Sequence, residues 1–357
     1  MTGSGAGAAI RLDRVRKSYG ATVVVPELTL EVPAGSLTAL LGPSGGGKST
    51  TLSMIAGLAQ PDDGDITIAG RSVLGLPAER RPLSLVFQKP LLFPHLSIAA
   101  NVGFGLRMRR VPRGQVARQV ETMLERVQLG GLGSRRPGQL SGGQEQRAAL
   151  ARALVLAPPV LLLDEPFSQL DATLRIEMRA LVRHLHDESG FTSLFVTHDQ
   201  AEAVAVADRI ALLIDGRLAG VGTPEDFFRR PSSLAAARFF GVRNELAGTV
   251  AGGCFRTDWG LAVPAGGQPD GSAVLVIRPE SVRLVGPESV GARPARITGA
   301  RFAGSHLSVT VQPEGADRDG ELVVHSRPDE PVAVGSTVGV HLPPGSCTVF
   351  PAGPALR

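Results

Sequence analysis

The chain has 357 residues, of which 43% are hydrophobic and 20% charged, and its 37 basic and 33 acidic side chains give a formal net charge of +4. This composition suits a globular protein of one large or two ordinary domains, and so small and dispersed an excess of positive charge gives no argument for nucleic-acid binding. No apolar run approaches the roughly 20 residues that a membrane-spanning helix needs, so we expect another chain to provide any passage across a membrane.

The first ten residues, MTGSGAGAAI, lack the basic segment and the long apolar core of a secretory signal peptide. The two cysteines, Cys254 and Cys347, are a usage that fits a reducing compartment. Both observations lead us to expect a protein that works inside the cell.

Residues 9–240 alternate between apolar runs and helical patterns, which predicts an α/β domain with a largely parallel sheet. The runs are apolar throughout, as is typical of strands buried on both faces. They are LTALLG (37–42), LSLVFQ (83–88), VLLLDE (160–165) and SLFVTH (193–198). Ligands bind at the carboxyl ends of such strands, so the polar residues there should converge on one site; they are Gln88, Asp164, Glu165 and His198.

The first run leads into GPSGGGKST, which fits the phosphate-loop pattern G-x-x-x-x-G-K-[ST] and precedes a helical pattern that closes at Gly57. Backbone N–H groups of such a loop wrap the phosphates, and the helix N-terminus adds its dipole. The Lys48 side chain supplies a charge to the β- and γ-phosphates, while the Ser49 hydroxyl is a ligand for Mg²⁺. The predicted ATP-binding residues of this loop are Gly42, Pro43, Ser44, Gly45, Gly46, Gly47, Lys48, Ser49 and Thr50.

Two adjacent carboxylates end the third run. Phosphoryl transfer needs one group to hold the metal and another to face the attacking water. We assign Asp164 to Mg²⁺ and Glu165 to the role of general base. Considered alone, the pair would equally suit a capping role before Pro166.

Helical patterns cover residues 115–128 and 171–188, and the stretch from about 90 to 157 shows helical periods without a buried strand. We interpret 90–157 as a helical subdomain inserted into the sheet domain. Within it, LSGGQ (140–144) has the form of a loop that holds an anion at a helix N-terminus. From about 243 to 357, frequent glycine and proline with short alternating runs predict a separate, smaller all-β domain.

The motifs occur in a fixed order: Tyr19, the phosphate loop, Gln88, LSGGQ, LLLDEP, SQLD (168–171) and THD (197–199). This set strongly resembles the ATP-binding subunit of an ABC transporter over residues 9–240, and LSGGQ is its most discriminating piece. The resemblance implies a P-loop NTPase fold, with Tyr19 stacking on adenine, Gln88 sensing Mg²⁺ and the γ-phosphate, and His198 contacting the γ-phosphate.

The resemblance also explains why one chain would carry two phosphate loops. The inserted subdomain places LSGGQ far from Lys48, and a head-to-tail homodimer lets the signature of one copy cap the ATP of the other. The residues that bind ATP in trans would be Ser141, Gly142, Gly143, Gln144 and Asp171.

FPHLSIAANVGFGL (93–106), THDQAEA (197–203) and IRPESVRL (277–284) are similar to importer ATPases that carry an OB-like TOBE domain. Such proteins act at the cytoplasmic face of the cell membrane with permease subunits and an extracytoplasmic solute-binding protein, and without nucleic acid. The details of FPH and DEPFS favour the sulfate, iron(III) and polyamine group over sugar or glycerol-phosphate importers. The sequence does not identify the transported solute.

Three positions depart from the family pattern. Ala100 stands where Glu is usual, Glu145 where Gln or Arg is common, and Gln169 occupies a variable position. Two other functions stay open: a soluble ABC ATPase acting on DNA or ribosomes, and regulation through a small ligand of the β domain. The first usually has a long coiled coil or two cassettes, whereas this chain has one cassette and no long heptad run.

Overall fold

A computed structural model describes residues 7–317 and 320–352 of the chain. Residues 1–6, on which the expected lack of a signal peptide partly depends, and residues 353–357 of the predicted β domain lie outside the described part. Two compact units make up the chain, Met1–Pro224 and Glu225–Arg357. The boundary at 240–243, drawn from the sequence, stays a prediction.

The strands of the first unit form two sheets. In chain order they are β1 (Ile10–Tyr19), β2 (Thr22–Val32), β3 (Leu37–Leu41), β4 (Asp63–Ile68), β5 (Arg71–Ser72), β6 (Ser84–Val86), β7 (Val160–Asp164), β8 (Thr192–Thr197), β9 (Arg209–Ile214) and β10 (Arg217–Gly222). The larger sheet has the order β10-β9-β3-β8-β7-β6. Strands β9, β3, β8, β7 and β6 run parallel, as the apolar runs predict, and β10 pairs antiparallel with β9.

The second sheet of this unit, with the order β2-β1-β4-β5, is antiparallel and was not predicted. Its signal was present in the sequence, because Ile10 and Leu12 alternate with exposed Arg11 on β1. Residues of both sheets pack into one hydrophobic core, which includes Leu28 of β2 and Leu40 of β3. The central strands are thus buried on both faces.

The helices of the first unit separate into two groups. Between β6 and β7 lie α2 (Ile98–Val102), α3 (Phe104–Met108), α4 (Arg113–Arg126) and α5 (Gly142–Leu154). This run falls within the predicted helical insertion and has no strand among its described residues. Outside it are α1 (Lys48–Ala56), α6 (Ala172–Ser189) and α7 (Gln200–Val206). Among all described residues, no helix combines the length and the hydropathy that crossing a membrane would require.

The second unit is mainly β-structure, with α8 (Pro224–Arg229) at its start and α9 (Leu234–Phe239) following. Its strands are β11 (Asn244–Ala251), β12 (Cys254–Arg256), β13 (Ala262–Pro264), β14 (Gly271–Ile277), β15 (Arg283–Val285), β16 (Arg293–Phe302), β17 (Leu307–Pro313), β18 (Leu322–Ser326), β19 (Thr337–His341) and β20 (Cys347–Pro351). They form antiparallel sheets of order β13-β12-β11-β14-β20 and β15-β19-β16-β17-β18, with a core around Phe255 and Leu275. The prediction of a second, all-β region is confirmed.

Candidate nucleotide site

The phosphate loop connects the buried strand β3 to α1, as the sequence predicts. It runs close to the backbone of β9, since a Cβ added to Gly42 would lie 2.0 Å from the carbonyl oxygen of Leu213. Gly47 has a φ of 86°, in the left-handed region, where it turns the chain into the helix. Among the described residues no side chain caps the start of α1. The helix N-terminus is therefore left for an anion to bind.

The Lys48 side chain is folded into this loop. Its ammonium group donates to the carbonyl oxygens of Gly42, at 2.9 Å, and Pro43, at 2.8 Å, and the residue is only 6% exposed. Burial lowers the pKa of Lys48, and the nearby charges of Glu165 and Asp164 partly oppose that shift. A cation held in a partly desolvated position by neutral carbonyls is well placed to bind a phosphate.

Ser49 and Asp164 meet across the sheet edge. The Ser49 hydroxyl donates to Oδ1 of Asp164 at 3.3 Å. Burial is the largest influence on Asp164 and raises the pKa of its carboxyl, whereas the Ser49 hydrogen bond lowers it. A hydroxyl and a carboxylate are oxygen ligands of the kind that Mg²⁺ takes together with phosphate oxygens. The pair therefore fits the proposed magnesium site.

The carboxylate of Glu165 receives one polar neighbour on each oxygen. Nε2 of Gln88 donates to Oε2 at 3.2 Å, and Nδ1 of His198 lies 3.1 Å from Oε1. Glu165 has a φ of 42°, a left-handed conformation that is uncommon for a residue with a Cβ. Backbone strain of this kind is often found at functional sites, and here it occurs at the residue predicted to be the base.

Ser168 joins the same cluster, although sequence reasoning did not identify it. Its hydroxyl accepts from Nε2 of Gln88 at 3.1 Å and donates to the carbonyl oxygen of Glu165 at 3.0 Å. Ser168 thus connects the end of β6 to the turn after β7. The SQLD motif contained this residue, but only the fold shows that its hydroxyl contacts Gln88.

The other residues predicted to bind ATP in the same chain do not contact Glu165, Gln88 or His198 in the described structure. Tyr19 ends β1, is 53% exposed, and has the Lys17 ammonium 5.2 Å from its ring centroid. Its exposed ring is available for stacking on a base. Ser44, Gly45 and Thr50 lie in or just after the phosphate loop, and Gly46 donates its N–H to the Pro43 carbonyl.

Helix α5 begins within LSGGQ, and Ser141 and Gln144 cap its first turn through reciprocal hydrogen bonds. The Ser141 hydroxyl accepts from the N–H of Gln144 at 3.4 Å, and the Gln144 side chain accepts from the N–H of Ser141 at 3.0 Å. A Cβ on Gly143 would come within 3.3 Å of the Leu174 side chain on α6, whereas Gly142 faces open space. Within the described chain none of the contacts of Ser141 or Gln144 involves the Lys48 loop.

Two side chains that the sequence analysis did not identify connect α5 to the turn after β7 and to the loop after Gln88. Nε2 of buried Gln146 donates to the carbonyl oxygen of Pro166 at 3.3 Å. Arg152 donates to the carbonyl oxygens of Leu91, at 2.8 Å, and Pro90, at 3.2 Å, in the loop after Gln88. Burial lowers the pKa of Arg152. Helix α5 is therefore hydrogen-bonded both to the turn after β7 and to the loop after Gln88.

Asp171 is the N-cap of α6, where its carboxylate accepts from the N–H of Leu174 at 2.9 Å. It is exposed and belongs to the same turn as Ser168. Its predicted role in trans needs a second chain and stays a prediction.

Comparison with known proteins identifies the family to which the chain belongs. The family profile described as "ABC transporter" matches residues 25–168, and that of the "TOBE domain" matches residues 275–350. The spermidine/putrescine import ATP-binding protein PotA of Rubrobacter xylanophilus is 42% identical over 339 residues, covering 91% of this chain and 88% of its own. The sulfate/thiosulfate import ATP-binding protein CysA of Mycobacterium tuberculosis is 52% identical, covering 66% and 67%.

The Fe(3+) ions import ATP-binding protein FbpC of Streptomyces coelicolor is 40% identical, covering 93% of this chain and 94% of its own. Among solved structures, a dimer of the ATP-binding cassette MJ0796 in a post-hydrolysis state, bound to ADP and Pi, superposes with a TM-score of 0.55 at 30% identity, covering 60% of this chain and 98% of that one. The cbiO1 protein of Clostridium perfringens, part of the ABC transporter complex cbiONQ, gives a TM-score of 0.58 at 28% identity, covering 62% and 90%.

Proposed function

The chain is a member of the ABC transporter ATPase family with a TOBE domain, and on that premise we propose that it is the motor subunit of an import system, in which ATP binding and hydrolysis by a homodimer drive a separate membrane permease. The observation that carries this proposal is the cluster at the strand ends, in which Lys48, Asp164, Glu165 and His198 meet around the start of α1. Its residues match the needs of phosphoryl transfer one by one.

Binding of ATP is assigned to the loop and its surroundings. The backbone N–H groups of 42–50 and the N-terminus of α1 would hold the phosphates, and the exposed ring of Tyr19 would stack on adenine. Lys48 would exchange its two carbonyl partners for phosphate oxygens, a change that replaces neutral acceptors with charged ones.

Hydrolysis is assigned to Glu165 as the base that takes a proton from the attacking water. Gln88 and His198 hold its two carboxylate oxygens, so the side chain is oriented before substrate arrives. Ser49, Asp164 and Gln88 would hold Mg²⁺, which when bound neutralises charge on the β- and γ-phosphates. His198, 54% exposed in its side chain, would also contact the γ-phosphate.

Each site would be completed by a second copy. Ser141, Gly142, Gly143 and Gln144 form a capped helix start with no phosphate loop of their own chain among their contacts. An opposing copy in head-to-tail arrangement would bring this helix start, together with Asp171, to the γ-phosphate. The similar MJ0796 cassette was solved as a dimer bound to ADP and Pi, which supports dimerisation but does not by itself give the head-to-tail arrangement.

Docking to the permease is assigned to the helical insertion. A cleft of about 670 Å³ opens between α2 and α4, with an apolar floor that includes Val116, Val120 and Leu124 and charged groups at Arg107 and Glu121. An apolar floor with charged groups beside it suits a partner that inserts an apolar side chain and places polar groups around it. We place the protein on the cytoplasmic face of the membrane, bound through this cleft, with an extracytoplasmic solute-binding protein delivering the solute to the permease.

Sulfate, iron(III) or a polyamine is the solute class we favour, because the relatives named above import these solutes and are 40% to 52% identical to this chain. A sugar or glycerol-phosphate importer is the second candidate. No described contact in the site bears on the solute.

Uptake measurements in the native host test the proposal. The chromosomal gene would be deleted, and uptake of labelled sulfate, iron(III), spermidine and maltose would be compared after complementation with wild-type or Glu165→Gln protein. We expect uptake of one solute to be lost, restored by the wild type and not by Glu165→Gln. Unchanged uptake of every solute, together with absence of the protein from the membrane fraction, would favour a soluble ABC ATPase.

A further inference from the structure

The buried carboxylate of Glu202 has no part in the mechanism above. It nevertheless contacts the turn that carries His198 and faces Arg175, which contacts the turn that carries Asp171. Glu202 is on the first turn of α7 and is 4% exposed. Its Oε2 accepts from the Thr197 hydroxyl at 2.6 Å, and the same hydroxyl accepts from the N–H of Asp199 at 3.0 Å. Glu202 therefore braces both sides of the turn that carries His198.

The other oxygen of this carboxylate faces Arg175 on α6. Oε1 of Glu202 lies 3.7 Å from Nε of Arg175, which is too long for a hydrogen bond. That Nε atom is buried and has no hydrogen-bond partner in the described structure. A buried donor without a partner is costly, and a shift of less than 1 Å by either side chain would give it one.

The guanidinium group of Arg175 also contacts the turn that precedes α6. Its Nη2 donates to the carbonyl oxygen of Leu170 at 3.2 Å, and Leu170 immediately precedes Asp171. Thr197, Glu202 and Arg175 thus form one continuous polar connection between the turn of His198 and the turn of Asp171. His198 would contact the nucleotide of its own chain, and Asp171 would face the nucleotide of the other copy.

We propose that Glu202 and Arg175 are positioning residues that couple the two ATP sites of the dimer. Contact of His198 with a γ-phosphate draws the turn of residues 197–199 inward, the Nε of Arg175 gains the Glu202 carboxylate, and the Leu170 carbonyl moves with the same guanidinium. Occupancy of one site then sets the position of Asp171 at the other. The inference depends on the proposed function, because it requires two composite sites.

The variants Glu202→Gln and Arg175→Gln test the coupling in the full-length chain. The amide that Glu202→Gln introduces retains an acceptor for the Thr197 hydroxyl but removes the charge that faces Arg175. ATP affinity of the isolated chain should stay within about twofold of wild type, since neither side chain contacts the phosphate loop. The ratio between the affinities for the second and the first ATP should fall by about fivefold or more. The Hill coefficient of ATP hydrolysis should fall towards one.

Arg183→Gln is the matched control. Arg183 is on the same helix as Arg175, and its ion pairs with Asp187 and Asp208 do not involve either turn. Its replacement should lower stability and leave the Hill coefficient unchanged. The double variant Glu202→Gln/Arg175→Gln should behave like either single variant, because both remove one connection. If Glu202→Gln does not fold, Arg175→Gln, whose side chain is 34% exposed, carries the test alone.

The outcomes separate this inference from the proposed function. A wild-type protein that hydrolyses ATP cooperatively, with variants that lose cooperativity, supports the coupling. A cooperative wild type whose variants stay equally cooperative, or show additive losses in the double variant, overturns the coupling and leaves the proposed function standing. A wild type that neither dimerises nor shows cooperativity overturns both.

Discussion

Nδ1 of His198 lies 3.1 Å from Oε1 of Glu165, at the ends of the neighbouring parallel strands β8 and β7. The opposite carboxylate oxygen receives Nε2 of Gln88 from the end of β6. The ends of β8 and β6 thus each contribute one partner to the carboxylate that follows β7. The arrangement holds a base in place before the water that it must activate is present.

Replacement of Glu165 by glutamine removes the proton acceptor and retains the shape of the side chain. We expect ATP binding to persist and the steady-state hydrolysis rate to fall by about 100-fold or more. The bound ATP should hold two copies together, visible as a dimer in size-exclusion chromatography only when ATP is present. Glu288→Gln, the same change at an exposed residue of the second unit, is the control. Normal hydrolysis by Glu165→Gln would disprove the role of Glu165 as base.

Replacement of Lys48 by alanine removes the only cation that the described loop offers to the phosphates. We expect ATP affinity of the isolated chain to fall by about 30-fold or more, the effect of losing one buried charge contact. Equilibrium binding of a fluorescent ATP analogue measures this directly. Lys89→Ala, at an exposed lysine next to Gln88, should bind normally. Equal affinities for Lys48→Ala and wild type would contradict the assignment of the loop.

Replacement of Ser141 by alanine separates capping from phosphate binding. Loss of the cap on α5 should lower the free energy of unfolding by about 1 kcal/mol. Ser233→Ala removes the corresponding cap of α9, where the hydroxyl accepts from Ala236, and should cost a similar amount. We expect only Ser141→Ala to abolish ATP-dependent dimerisation, while its ATP affinity as a monomer stays normal. Wild-type dimerisation of Ser141→Ala would exclude a contact with ATP in trans.

Asp164 gives a prediction about stability and pH. Burial raises the pKa of this carboxyl, so its ionised form destabilises the ATP-free fold, and that cost disappears as the pH falls and the carboxyl takes up a proton. Asp164→Asn should therefore raise the Tm of the ATP-free protein at neutral pH, and by less under acidic conditions. Its hydrolysis should be lost. A lower Tm than wild type at neutral pH would contradict this explanation.

The parts of the site that follow from local chain geometry could be predicted from the sequence. The loop 42–50, the strand that precedes it and the start of α1 are contiguous, so their motif determines both the turn and its chemistry. The carboxyl-end rule for parallel strands was sufficient to place Gln88 and His198 at the same edge as Glu165. The contacts in the structure agree with that expectation.

Contacts between distant segments could not be predicted in this way. The bonds of Ser168 to Gln88, of Gln146 to Pro166 and of Glu202 to Thr197 depend on how turns from separate strands face one another. The antiparallel sheet of β1, β2, β4 and β5 was missed for a simpler reason. The alternation of apolar and polar residues on β1 was present in the sequence. Runs that are apolar throughout, however, identify only strands that are buried on both faces.

Mixed dimers test most directly whether each site is shared between two copies. In a Glu165→Gln background, Lys48→Ala and Ser141→Ala chains would be purified separately, mixed, and assayed for ATP retained after rapid gel filtration. A shared site predicts that each chain alone loses its ATP during the filtration, because neither can close a dimer around it. The mixture should retain ATP, because pairing the two chains creates one site with an intact Lys48 and an intact Ser141. A mixture that retains no more ATP than its separate components would show that each site is contained within a single chain.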